Sequence, residues 1–159
     1  MIEEGKPAPD FELTSDEGEK VRQSDLQGKP VVLYFYPRDD TPGCTAQACG
    51  IRDAWGDFAE RGAVVLGVSP DDAGSHASFK AKYELPFTLL ADPDHAVSEE
   101  YGVWGERKNY GKTYMGIERS TFVIDADGNL AAIKRRVKPD EHTAWALAEV
   151  EKLTAGATS

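Results

Sequence analysis

The sequence predicts an α/β fold in which a central mixed β-sheet is flanked by helices. Three apolar, β-rich runs, "VVLYFY" (Val31 to Tyr36), "AVVLGV" (Ala63 to Val68) and "FTLL" (Phe87 to Leu90), are each followed by a stretch of helical character. Alternation of this kind builds a largely parallel sheet covered by helices. Near the C-terminus, "STFVIDADGNLAAIKRRV" has two strand-like halves around Asp127-Gly128, a hairpin signal that adds antiparallel strands.

Composition bounds the function. A chain of 159 residues, 40% hydrophobic, suits one domain over residues 1–159, a size that buries roughly two thirds of its unfolded surface. The net charge of −10 repels phosphate backbones and anionic membranes, so nucleic acid is not an expected partner, and the acidity itself serves solubility. The opening "MIEEGKPAPDFEL" lacks the basic and apolar regions of a signal peptide, and no apolar run is long enough to span a membrane. The expectation is a cytoplasmic protein with no membrane partner. Two cysteines are too few for a disulfide framework, and a close pair in a reducing compartment points to redox or metal chemistry.

The elements follow in order. The first strand ends at Pro37 and a polar loop leads to "TPGC", which has the form of a helix start: Thr41 as N-cap, Pro42 first, Cys44 third. Cys44, Ala48, Ile51, Trp55 and Phe58 then recur at spacings of four, three, four and three, the inward stripe of one amphipathic helix. At about 100° per residue, Cys49 lies about 140° around from Cys44, beside Thr45 and Arg52 on the polar side. "WGERKNYGKTYMG", Trp104 to Gly116, is polar, aromatic and glycine-punctuated, the character of a long surface loop. A last helix is predicted from about Pro139 to Thr154, with Ala144, Leu147, Ala148 and Leu153 at roughly helical spacing.

A first-turn cysteine has a specific electrostatic setting, because unpaired backbone N–H groups and the positive end of the helix dipole favour a thiolate, the nucleophilic form. Asp39 and Asp40 lie just upstream, and carboxylates near the sulfur oppose that effect. A compensating cation is therefore expected. Spacing does not choose it among the candidates from Arg38 to Arg136. His76, His95 and His142 are scattered without metal-ligand spacing and are expected at the surface.

The residues themselves carry a resemblance. "PRDDTPGC" fits the pattern Pro-x-x-x-Thr-x-x-Cys of the peroxiredoxins, and "TPGCTAQACGIRD" resembles the peroxiredoxin Q or bacterioferritin comigratory protein subgroup. The similarity extends to "GKPAPDFEL", "GVSPD" and "GIERSTFVIDADG", so it spans nearly the whole chain. It implies a thioredoxin-like fold and a thiol peroxidase that needs no metal, flavin or other cofactor. Cys44 matches the peroxidatic cysteine that attacks hydrogen peroxide or an alkyl hydroperoxide, and Cys49 the resolving cysteine that joins it in a disulfide. Pro37 matches the residue that shields the site, and Thr41 the one that hydrogen-bonds the peroxide oxygens. Arg119 of "ERST" matches the missing cation, and Gln47 is placed to join its hydrogen-bond network. A thioredoxin-type protein reductant and a monomeric state are further implications.

Two other functional classes compete with this reading. A thioredoxin-type oxidoreductase uses Cys-x-x-Cys, whereas four residues separate Cys44 from Cys49, and insulin reduction against peroxide consumption discriminates them. A metal-storage module predicts bound metal, which elemental analysis detects.

Overall fold

The computed structural model describes residues 2–109 and 111–155. Its main sheet has seven strands in the order β2-β1-β5-β4-β3-β8-β9. The centre is formed by β3 (Val31–Phe35), β4 (Val64–Ser69) and β5 (Thr88–Ala91), mutually parallel. On one flank β8 (Ser120–Ile124) and β9 (Leu130–Arg135) run antiparallel as the expected hairpin, and on the other lie β1 (Glu12–Ser15) and β2 (Lys20–Arg22). The helices are α1 (Pro42–Asp53), α2 (Trp55–Glu60), α3 (Ala73–Tyr83), α4 (Ala96–Glu100) and α5 (His142–Ala155).

All five residues of β3 are buried because both faces of the sheet are covered. Val31, Leu33 and Phe35 pack with Phe11, Leu66, Tyr101 and Phe122 on one face. Val32 and Tyr34 point the other way, beneath the helices, with Ile51 of α1, Phe58 of α2, Phe79 of α3 and Val150 of α5. A two-residue alternation thus explains a continuous apolar run, and each large apolar side chain buried in it contributes about 1.5–3 kcal/mol.

The secondary structure departs from expectation in three places. The segment Trp104–Gly116 is no loop: β6 (Trp104–Asn109) and β7 (Lys112–Ile117) pair antiparallel from Trp104↔Ile117 to Asn109↔Lys112, with Tyr110 outside the described residues. Its β7 half is exposed from Lys112 to Met115, so burial imposes no apolar alternation and the strand signal disappears. The stripe from Cys44 to Phe58 belongs to two helices, because the chain breaks at Ala54 between α1 and α2. The last helix starts at His142 rather than Pro139, after a turn in which Glu141 N–H donates to the Lys138 carbonyl.

Candidate active site

Parallel strands β3, β4 and β5 direct their carboxyl ends toward the loop that leads into α1. Thr41 is the N-cap, extended at φ −101° and ψ 155°, and Pro42 opens the helix. The Thr41 hydroxyl donates to the Arg38 carbonyl (3.0 Å) instead of capping the first turn, which leaves helix N–H groups in that turn available to an anion. Cys44 lies in this turn and is only 1% exposed, packed with Ala48 and Ile51 on the inward face. Cys49 is partly buried on another face of the same unbroken helix, and both thiols are free.

Arg119, at the junction of β7 and β8, comes to this turn from far along the chain. Its Nη2 stands 3.0 Å from where a Cβ on Gly43 would be, so the glycine is what lets the guanidinium lie against the turn that carries Cys44. Nη1 donates to Gln47 Oε1 (2.6 Å), and Gln47 is fully buried with its Nε2 unpaired among the described residues. The Arg119 carbonyl accepts from Val137 N–H (2.9 Å), which fixes the backbone behind the guanidinium. Beneath α1, Tyr34 is buried with its hydroxyl unpaired among the described residues. Burial first, and then the charges of Cys44 and Asp39, push its ionisation well above the usual tyrosine range.

The aspartates before the helix both turn their carboxylates to α3. Asp39 accepts from the Tyr36 hydroxyl (2.5 Å), the Ser75 hydroxyl (2.7 Å) and His76 Nδ1 (2.7 Å). Burial raises its carboxyl, but the hydrogen bonds from His76 and Tyr36 outweigh that and leave it below the ordinary carboxylate value. Asp40, with φ at 56°, is gripped by Lys82 Nζ and the Tyr83 hydroxyl, each at 2.7 Å. Gly43, Gln47 and the first turn of α1 are the surroundings of Arg119.

The histidines also need correction. His76 and His142 are fully buried, and the His95 ring stacks on Trp104 with centroids 3.7 Å apart. His142 meets the Thr121 hydroxyl through Nε2 (2.8 Å), while Nδ1 has no partner among the described residues. Burial, then the positive charges of Arg119 and Lys134, lower its ionisation from 6.5 to about 3, so it is neutral at pH 7. Among the described residues no three His, Cys, Asp or Glu side chains gather where they could hold a metal ion, and no helix is long and apolar enough to cross a membrane.

Pro37 is exposed at the start of the loop. With Arg38, Pro70, Trp104, Tyr114 and Met115 it lines a groove of about 450 Å³ between the loop and the β6–β7 hairpin. Arg119 therefore lies against the first turn of α1, which follows the N-cap Thr41 and carries Cys44, while Cys49 sits further along the helix on another face and Pro37 lines the neighbouring groove.

Residues 5–133 match the model of the AhpC/TSA family. The chain belongs to that family. Similar proteins include a putative peroxiredoxin bcp of Coxiella burnetii, 54% identical over 90% of this chain and 95% of the relative, and peroxiredoxin Bcp of Bacillus subtilis, 52% identical over 96% and 98%. Among solved structures, the Xanthomonas campestris bacterioferritin comigratory protein, described for its alkyl peroxide reduction activity, aligns with a TM-score of 0.88 at 33% identity. That alignment covers 96% of this chain and 99% of the other. A cysteine-to-serine variant of Xylella fastidiosa PrxQ aligns at 0.89 and 32% identity, covering 99% and 98%.

The sheet with its flanking helices is thus the thioredoxin-like fold of the peroxiredoxins, and the chain is a thiol peroxidase. In this AhpC/TSA protein, the grip of α3 on the loop before α1 was not among the expectations from sequence. One signal was present: "SH" in the first turns of α3 puts Ser75 and His76 near its N-terminus, and Phe79 lies one turn beyond His76 on the same face.

Proposed function

We propose that Cys44 is the peroxidatic nucleophile and Cys49 the resolving thiol of an intramolecular disulfide cycle. The observation that carries this reading is the placement of Cys44 in the first turn of α1 with the Arg119 guanidinium against the same turn. The Cys44 thiolate attacks the terminal oxygen of hydrogen peroxide or an alkyl hydroperoxide; the O–O bond breaks, and the leaving oxygen departs as hydroxide or alkoxide that takes up a proton. Arg119 and the helix N–H groups stabilise negative charge at the sulfur and then at the leaving oxygen. The Thr41 hydroxyl, donating to Arg38, keeps its oxygen lone pairs for the hydroperoxide O–H. Pro37 limits water at the margin.

Cys44 becomes a sulfenic acid, and Cys49 condenses with it to form a disulfide and release water. A thioredoxin-type dithiol then reduces the disulfide by exchange. The rest of the reading is a single domain over residues 1–159 acting as a cytoplasmic monomer. Stopped-flow reaction with hydrogen peroxide followed by thiol counting tests the cycle. Loss of two thiols per peroxide is the expected result, and an active Cys44→Ser protein overturns the assignment.

A further inference from the structure

The loop before α1 is fastened to the body of the protein at three consecutive levels. Asp39 N–H donates to Asp71 Oδ2 (2.7 Å), the Asp39 carboxylate receives Tyr36, Ser75 and His76, and the Asp40 carboxylate receives Lys82 and Tyr83. These contacts are unequal. The Lys82 and Asp40 side chains are 57% and 43% exposed, a setting in which an ion pair holds weakly, whereas His76 and Asp39 are 0% and 4% exposed.

The buried pair is fully committed. His76 Nε2 faces the Leu90 carbonyl on β5 (2.8 Å), an acceptor only, so that nitrogen bears a hydrogen. Nδ1 faces Asp39 Oδ2, and a proton between them closes the pair. One ring therefore links β5, α3 and the loop that sets the start of α1. Thr41, the N-cap, comes two residues after Asp39, and Cys44 three residues after Thr41.

We propose that His76 is a positioning residue for the peroxidatic cysteine: acting through Asp39, it holds the loop so that the first turn of α1 meets Arg119. The same clamp forms the fixed N-terminal boundary of the segment that rearranges when Cys44 and Cys49 join. This rests on Cys44 being the nucleophile. It separates two properties of the thiol, because attack on a peroxide needs the assembled turn and guanidinium, whereas alkylation by iodoacetamide needs only a reachable thiolate.

The test measures both rate constants for Cys44 in a Cys49→Ser background, with folding checked by circular dichroism. His76→Gln should lower the ratio of hydrogen peroxide oxidation to iodoacetamide alkylation at least fivefold. A purely structural histidine lowers the thermal midpoint and leaves the ratio of the folded protein unchanged. Ser75→Ala, a milder change that removes one donor from the same carboxylate oxygen, should lower the ratio at least twofold. A folded His76→Gln protein with a smaller change than fivefold overturns the inference. If His76→Gln does not fold, Ser75→Ala decides by its own threshold. Activity surviving Cys44→Ser overturns the assignment of the nucleophile instead, so the two failures are distinct.

Discussion

Arg119 and Gln47, 72 positions apart in sequence, are joined by a 2.6 Å hydrogen bond across the first turns of α1. The bond orients the guanidinium along the helix, with its other nitrogen over Gly43. A planar fork suits this double task, which a point charge cannot reproduce.

Replacing Arg119 should therefore be costly. Arg119→Ala is expected to slow peroxide attack by roughly 10²–10³-fold, the scale of losing one preorganised donor to developing charge, and Arg119→Lys to recover only part. Stopped-flow oxidation rates measure both. Full activity in Arg119→Lys excludes the need for the fork.

The two thiols cannot join while α1 is intact. On an ideal helix, five residues of separation put the Cα atoms about 8.7 Å apart, beyond the roughly 4.4–6.8 Å of a disulfide. The reduced protein has an unbroken helix from Pro42 to Asp53. The disulfide form is expected to have lost helix and amide protection over residues 44–50, the cycle being gated by local unfolding. Equal protection in a verified Cys44–Cys49 disulfide would falsify this.

Gly50 gives a sharper test, because sequence and tertiary contact make opposite forecasts. Alanine on an open helix gains about 1 kcal/mol over glycine, but here a Cβ would stand 2.6 Å from Thr143 Oγ1 of α5. Overpacking of this kind costs about 1–3 kcal/mol, so Gly50→Ala should lower stability in chemical denaturation. In a Thr143→Ala background the nearest obstacle is gone and Gly50→Ala should stabilise, with slower disulfide formation as the helix resists unwinding. Additive effects of the two changes rule out the contact as the cause.

His142 makes stability fall with mild acid. Its folded-state value of about 3 lies below the ordinary 6.5, so between these limits the unfolded chain binds the proton first and stability drops as pH falls. The contribution is complete above about pH 6.5, and by pH 5 the loss is about 2 kcal/mol. Asp39, held below the ordinary carboxylate value, loses its own contribution only at lower pH. Denaturation curves from pH 7 to 5 should therefore lose most of their slope in His142→Gln. An unchanged slope excludes His142 as the source.

Sequence periodicity reached what is local. The alternation in β3 and the Thr-Pro-Gly start of α1 are read within one or two turns, because side-chain direction follows a period of 2 or 3.6. Where burial imposed no period the signal failed: the hairpin whose Lys112–Met115 stretch is exposed read as a loop, and the glycine punctuation that suggested that loop serves its turn, with Gly111 at φ 77°. His142 carries no such period and His76 only the single spacing to Phe79, too little to reveal that both are buried.

By itself, then, the sequence determined the three parallel strands and the β8–β9 hairpin, the helix start, the first-turn position of Cys44, the wrong-facing Cys49 and the family string around them. Tertiary structure decided how Arg119, singled out in the sequence only by the resemblance, comes to stand over that turn, where Asp39 and Asp40 send their side chains, and what crowds Gly43 and Gly50. The physical reason is range. Backbone geometry fixes neighbours within a helix turn, but Arg119, His76 and Thr143 reach α1 only after the sheet has closed long loops and packed α3 and α5 around it, and no spacing along the chain encodes that approach.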